Sequence, residues 1–353
     1  MKKERRLRER KDGRSKKDKW LSGRPILVGF FVLLSLTAVS AAQEWPKKAI
    51  TVNSASSVGG SVDTASRAFA REMSQVLGVP ITIINMPGGG GGIAAQNTYL
   101  AANDGYTWQA QGGQLRTVGV LGYHDKSPKE WYCMPLVGYT SAIIVRADSP
   151  YKTFRDLIEA LKKDPDKIPC GAGYRSASWG INYELMKKVT GLGGRYVPYA
   201  GSSPTQVALL TGEIQFAVTG IGEHAELLKG GKVRALAHFE DKPYHVKGYG
   251  DIPAITDFLP VLKPYFPFPA WASFSLRGDT PKPILKKIDE AALKASQIKS
   301  VKEYCENFYC FPMGVVGEEA QKLLIRQASM ECWLLFEAGI AKKSPAEFGI
   351  PKP

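Results

Sequence analysis

Three times along this chain an apolar, strand-like run breaks into a glycine- and serine-rich turn and passes straight into a stretch with helical periodicity. KAITVNS (48–54) leads through SSVGG into a segment whose apolar residues Val62, Ala65, Phe69, Met73 and Val76 lie 3, 4, 4 and 3 apart, the period of one buried helix face. Ser61 suits the start of that helix and Gly78 its end. ITIIN (81–85) runs through PGGGGG into a short helix over 93–102, and NDG then turns into the strand YTWQA. IPCGAG passes through GYRSAS into the helical stretch WGINYELMKKVTG. This order predicts an α/β protein with mostly parallel sheet covered by helices.

A second alternating series begins near Ala142. AIIVRA reads as a strand, Thr153 caps a helix carrying Phe154, Leu157, Ile158 and Leu161, and RYVPYA, EIQFAVTG and KVRALAHF read as further strands. Ser203-Pro204 marks a helix start, because proline fits the first helical turn. After the Pro- and aromatic-rich segment 263–274, Thr280-Pro281 opens a long C-terminal helix. Two series predict two α/β lobes. Residues 43–145 with 270–353 form lobe one and residues 146–269 form lobe two, so the chain crosses near 145 and returns near 270.

The formal charge of +14 suggests a polyanion-binding surface until it is located. Residues 1–24 carry +8 of it, and no basic stripe with interleaved aromatics follows, so nucleic-acid binding is not expected. The basic run leads instead into an apolar stretch, Ile26–Val39, closed by Ser40-Ala41-Ala42. That is the build of a secretory signal peptide over residues 1–42, with a retained membrane anchor as the alternative. Export makes disulfides possible, and Cys305 and Cys310 are close enough in sequence to pair; five cysteines leave at least one over.

Three chemistries compete for the turns. Gly59-Gly60-Ser61, between a buried strand and a helix N-terminus, offers free backbone N–H groups and a favourable dipole to an anion. Asp63 in the first turn would oppose a close anion unless it faces away. GYRSAS repeats the pattern, with hydroxyls at Ser176 and Ser178 and a cation at Arg175 able to grip a carboxylate bidentately. Both stretches also read as plain tight βα turns. Gly89, Gly91 and Ala94 match a dinucleotide-binding GxGxxA pattern, but a glycine run matches it easily and no acidic residue follows at the required distance. For catalysis, His124, His224, His238 and His245 form no HExxH, no GxSxG elbow occurs, and Glu223, His224 and Glu226 read as a solvated helix face. No cofactor or metal is called for.

The ordered stations of residues 45–108, from WPKKAITVNS through SSVGG, VLGVPITIIN, PGGGGG and NDGYTW, resemble the opening of the Bug-type substrate-binding proteins of tripartite tricarboxylate transporters. VPYAGSSPTQVALLTGEI, KGGKVRALA, IPAITDF, Trp271 and DTP before a helix extend the resemblance to about residues 45–345. It implies a two-lobe periplasmic-binding-protein (type II-like) fold, no catalysis, capture of a small carboxylate in the cleft, and delivery to a membrane permease by a monomeric periplasmic receptor. It places Ser57, Gly59, Gly60, Ser61 and Asp63 on the first ligand loop, Gly91 and Ile93 on the second, and Gly173, Ser176, Ala177 and Trp179 on the lobe-two loop. Tyr199 and Thr219 fall on further cleft stations. The sequence departs from the family pattern where SASSVGG replaces a proline-rich loop, and where Arg175 and Trp179 replace smaller residues and a histidine. Trp179 either stacks on a ligand ring or packs in the core. An exported α/β enzyme acting on a carboxylate is the alternative reading.

Overall fold

In the computed structural model, residues 45–266 and 269–353 are described; the expected signal peptide lies outside them. Their strands form two mixed sheets and a small ribbon. Sheet one is built from β1 (Ile50–Ser54), β2 (Ile81–Asn85), β3 (Thr107–Gln111), β4 (Trp131–Tyr139), β12 (Ala270–Arg277) and β13 (Cys310–Pro312), in the order β13-β4-β12-β3-β1-β2. Sheet two holds β5 (Ser141–Arg146), β6 (Pro169–Gly171), β7 (Arg195–Val197), β8 (Phe216–Gly220) and β9 (Val233–His238), in the order β7-β6-β8-β5-β9. The ribbon pairs β10 (Tyr244–Val246) with β11 (Gly250–Ile252).

The chain changes sheet at Thr140, five positions before the expected crossing near 145. β4 ends at Tyr139, and from Ser141 the backbone already pairs with Gly220 of β8. It is back in sheet one at Ala270, which pairs with Tyr139. The sheets are also less parallel than expected: only β2-β1-β3 and β7-β6-β8 are parallel runs. The reason is the crossing itself. β5 and β12 enter their sheets from the edge where their neighbours end, so they run antiparallel to those neighbours.

The helices follow their sequence signals. In α1 (Ser61–Leu77), Val62, Ala65, Phe69 and Met73 are buried, each worth a few kcal/mol at most against exposure, while Val76 in the last turn is exposed. Gly60, not Ser61, is the N-cap, and Gly78 ends the helix in the left-handed conformation at φ 73°. α2 (Gly92–Leu100) follows β2, and α3 (Phe154–Lys163) starts at Thr153 with a reciprocal capping box to Asp156. α4 (Ser178–Thr190) and α5 (Ser202–Thr211) flank β7 in sequence, and α6 (Lys282–Gln297), α7 (Lys299–Asn307) and α8 (Gly317–Glu337) complete the C-terminal part. Cys305 on α7 and Cys310 on β13 lie thiol against thiol, unbridged. A buried Arg116–Glu331 pair, bidentate at 2.7 and 2.8 Å, ties α8 to the segment after β3.

Candidate ligand-binding site

A cavity of about 40 Å³ lies where the two sheets' turn-bearing edges meet. Ala55, Gly112, Tyr139 and Ala270 reach it from the ends of sheet-one strands, and Gly173 and Gly201 from sheet two. Three helices begin on its wall: α1 with Ser61, α4 with Ser178 and α5 with Ser202. Their N-caps are Gly60, Ala177 and Gly201, none of which supplies a capping side chain. The first N–H groups of these helices are therefore left for other acceptors, and the helix dipoles add positive potential at one place. The cavity wall contains no charged residue. Three donors on it, the Tyr174 and Ser178 hydroxyls and the Trp271 indole N–H, are buried without a hydrogen-bond partner. Gln114 also lines the wall and folds its Oε1 back onto the Gly112 N–H at 2.8 Å.

The residues expected on the first loop divide by role. Ser61 lines the cavity, its N–H donates to Glu223 Oε1 at 3.1 Å, and its carbonyl accepts from the Tyr139 hydroxyl at 2.7 Å. Gly59 and Gly60 hold the turn instead: the Gly59 N–H donates to Asp63 Oδ2 at 3.0 Å and the Gly60 N–H to the Ser57 carbonyl at 3.2 Å. Gly59 sits at φ 80°, which favours glycine. Ser57 Oγ is buried and unpartnered, and a Cβ on Gly201 would come within 2.8 Å of it, so the two loops are in close approach. Asp63 does face away from an anion. Burial pushes its pKa up, but hydrogen bonds from Arg67, the Gly59 N–H and Asn85 outweigh this and hold it below the ordinary aspartate value.

On the second loop, Gly91 at φ 97° packs against the Gln114 side chain, while Ile93 is exposed and rests over Gly88. On the third, Gly173, Ala177 and Trp179 line the cavity. Ser176 Oγ donates to the Gly90 carbonyl at 2.8 Å and bridges the second and third loops. Trp179 is buried, its indole N–H donates to Ser202 Oγ at 3.1 Å, and its ring meets Tyr139 edge-on at 6.2 Å.

Of the expected site residues, only Ser61, Gly173, Ala177 and Trp179 line the cavity, and Arg175, Tyr199 and Thr219 are engaged by other partners away from it. Arg175 pairs with Glu184 on α4 and stacks 4.4 Å over the Tyr196 ring, so its guanidinium serves a buried carboxylate of its own lobe. Tyr199 donates to Glu213 Oε1 at 2.7 Å. Thr219 is buried against His224 Nε2 at 2.7 Å; burial pushes that histidine down to about 4, so it is a neutral core residue.

Glu223, read from sequence as part of a solvated face, instead lies against the α1 N-terminus. Its Oε1 accepts from the Ser61 N–H and its Oε2 from the Gly220 N–H, each at 3.1 Å, with the Ser61 and Ser202 hydroxyls adding to the set. Burial raises its pKa above the ordinary glutamate value, and these donors offset only part of that rise. Sequence separation hides this contact: Glu223 lies 162 positions after Ser61. Ser202 was legible in principle, since Gly201-Ser202 before a helix repeats Gly60-Ser61.

Two sheets joined by crossing strands, with helix N-termini meeting between them, define a two-lobe solute-binding protein. The model of the tripartite tricarboxylate transporter family receptor matches residues 65–333, and the chain belongs to this family of transport receptors, which are not enzymes. A curated relative from Cupriavidus necator, "UPF0065 protein in gbd 5'region", is 26% identical over 312 residues, 88% of this chain and 93% of its own. The structure of the periplasmic binding protein BugD superposes with a TM-score of 0.76 at 22% identity, covering 85% of this chain and all of that one. MatC from Rhodopseudomonas palustris, solved with bound malate, gives 0.72 at 22% identity, covering 83% and 99%. Both place the chain in the two-lobe fold of these receptors.

Proposed function

We propose that this chain is an exported, periplasmic receptor that captures a small carboxylate between its lobes and presents it to a tripartite tricarboxylate-type membrane transporter. One observation carries the reading: three helix N-termini whose N-cap residues supply no capping side chain converge on an interlobe cavity whose wall has no charged side chain. Such a wall suits an anion, because each helix end contributes about 0.3–1 kcal/mol toward a negative charge, and about 2 when partly buried. The Ser178 hydroxyl and Trp271 indole are donors waiting for an acceptor. Malate, the ligand in the similar MatC structure, is an acid of the chemistry this wall suits. Its carboxylates meet Ser61, Ser178, Ser202 and Trp271 in this reading.

A cavity of about 40 Å³ holds a few waters and not a dicarboxylate. Entry therefore needs the lobes, residues 45–139 with 270–353 and residues 141–266, to part about their crossings at Thr140 and before Ala270. Two connections restrict that motion to bending. The receptor acts as a monomer in this scheme. Isothermal titration of the exported protein with malate and with its diamide tests the reading: the acid binds and the diamide does not. Ser178→Ala weakens the acid about tenfold, the loss of about one hydrogen bond to a charged group. Equal binding of acid and diamide refutes it.

A further inference from the structure

The donors at the mouth of α1 are already occupied by the protein's own carboxylate. Glu223 follows β8 in sheet two, and Gly220, one of its partners, ends that strand. Its other backbone partner, the Ser61 N–H, opens α1 beside sheet one. One carboxylate thus joins the two lobes through donors that would otherwise face a ligand. Its backbone is fixed: Gln206 Nε2 donates to the Glu223 carbonyl at 2.9 Å, and Gly222 packs so closely that a Cβ there would lie 1.9 Å from the Phe308 carbonyl oxygen. Movement of this residue is therefore movement of its side chain. The cavity beside it keeps three buried donors without partners, Tyr174 Oη, Ser178 Oγ and Trp271 Nε1, so the wall has unused capacity for an acceptor.

We propose that Glu223 is a resident carboxylate that takes a ligand carboxylate's seat in the empty protein, latches the lobes together, and must swing out before an external acid binds. The proposal rests on the carboxylate-capture reading above. Its physical basis is exclusion: two carboxylates on one set of N–H donors repel each other, and the seat has donors for one. Glu223 therefore sets the affinity threshold of the receptor, admitting acids that out-compete it. A monocarboxylate competes through one group alone, whereas a dicarboxylate also engages the unpartnered donors across the cavity.

The full exported chain and two variants test this. In Glu223→Ala the seat is vacated. Sodium acetate should then raise its melting temperature above that seen in sodium chloride of equal ionic strength, while the wild type shows no acetate-specific shift. In Glu223→Gln, the amide lacks the charge and turns an NH2 toward donors, so malate should bind at least about tenfold tighter than to wild type. An unshifted Glu223→Ala in acetate overturns the proposal, whatever malate does. If Glu223→Ala does not fold, Glu223→Ser replaces it in the acetate comparison. A folded Glu223→Gln that binds malate equally or more weakly than a malate-binding wild type also overturns it, because Glu223 would then be assisting the ligand. Should acetate stabilise only the emptied variant while malate binds neither protein, the seat stands and malate capture falls.

Discussion

Asp63 should be worth far more to the folding of this receptor than to its contact with ligand. The carboxylate is buried in the first turn of α1 and accepts from the Gly59 N–H at 3.0 Å, from Asn85 Nδ2 at 2.8 Å and from Arg67 at 2.9 Å. It therefore fastens the Gly59 turn, the helix and the end of β2 to one point. A hydrogen bond to a charged group contributes about 1.5–3 kcal/mol, but Arg67 is half exposed, and a screened pair of that kind contributes about 0–1 kcal/mol. Asp63→Asn keeps one acceptor and turns an NH2 toward a donor. It loses about one charge-assisted bond, so the expected cost at neutral pH is about 2 kcal/mol. The pH dependence has a definite sign. The folded pKa lies below the unfolded value of about 3.9, so the stabilisation is fully present above about pH 4 and is lost as pH falls through the folded value. Urea unfolding of both proteins should show the variant less stable at pH 7 and the gap narrowing at about pH 3. Equal stability at pH 7, or a gap unchanged at pH 3, would refute the assignment of Asp63 as the fastener of this turn.

Arg175→Ala should leave malate affinity and the preference for acid over diamide unchanged in calorimetry, because its guanidinium serves Glu184 outside the cavity; it should cost about 1–3 kcal/mol of stability by stranding a buried carboxylate, discounted for the partial exposure of the arginine. Arg116→Met should cost about 3–5 kcal/mol in urea unfolding by leaving Glu331 buried and unpaired, and Arg116→Met with Glu331→Leu should recover most of that loss; a double variant as unstable as the single would show that the pair's charge is not what matters.

The legible parts of this fold were those decided within a few residues. The α1 face, the Thr153 capping box, the left-handed stop at Gly78 and the βα turns all follow from local periodicity and cap chemistry. The helix starts beside Ser61 and Ser178 were legible for the same reason. Misreadings arose where a partner lay elsewhere. Arg175 looks free in GYRSAS, but Glu184, nine residues on, sits beneath it on α4. Asp63 looks like an obstacle to an anion until its carboxylate is seen to turn back onto the Gly59 N–H. The crossing at Thr140 was displaced because strand pairing, not composition, decides where one sheet ends and the next begins. Glu223 gave no local sign at all.

That last residue follows from the way this cleft presents its charge. A receptor that binds acids through lysine or arginine can let those side chains turn to solvent when the site is empty. N–H groups at the start of a helix cannot turn away, since their direction is set by the helix itself. Here the starts of α1, α4 and α5 are held by strands on both sides, and their N-cap residues bring no capping oxygen. Closing the lobes without a ligand would bury such donors unsatisfied, at a cost of about 1–3 kcal/mol each. Water can meet part of that demand while the cleft is open. In the closed arrangement, with room for only a few waters, an acceptor from the chain itself is needed, and Glu223 supplies it to Ser61 and Gly220 at once. A seat made from backbone thus calls for an occupant at all times, and the ligand's task is replacement of that occupant.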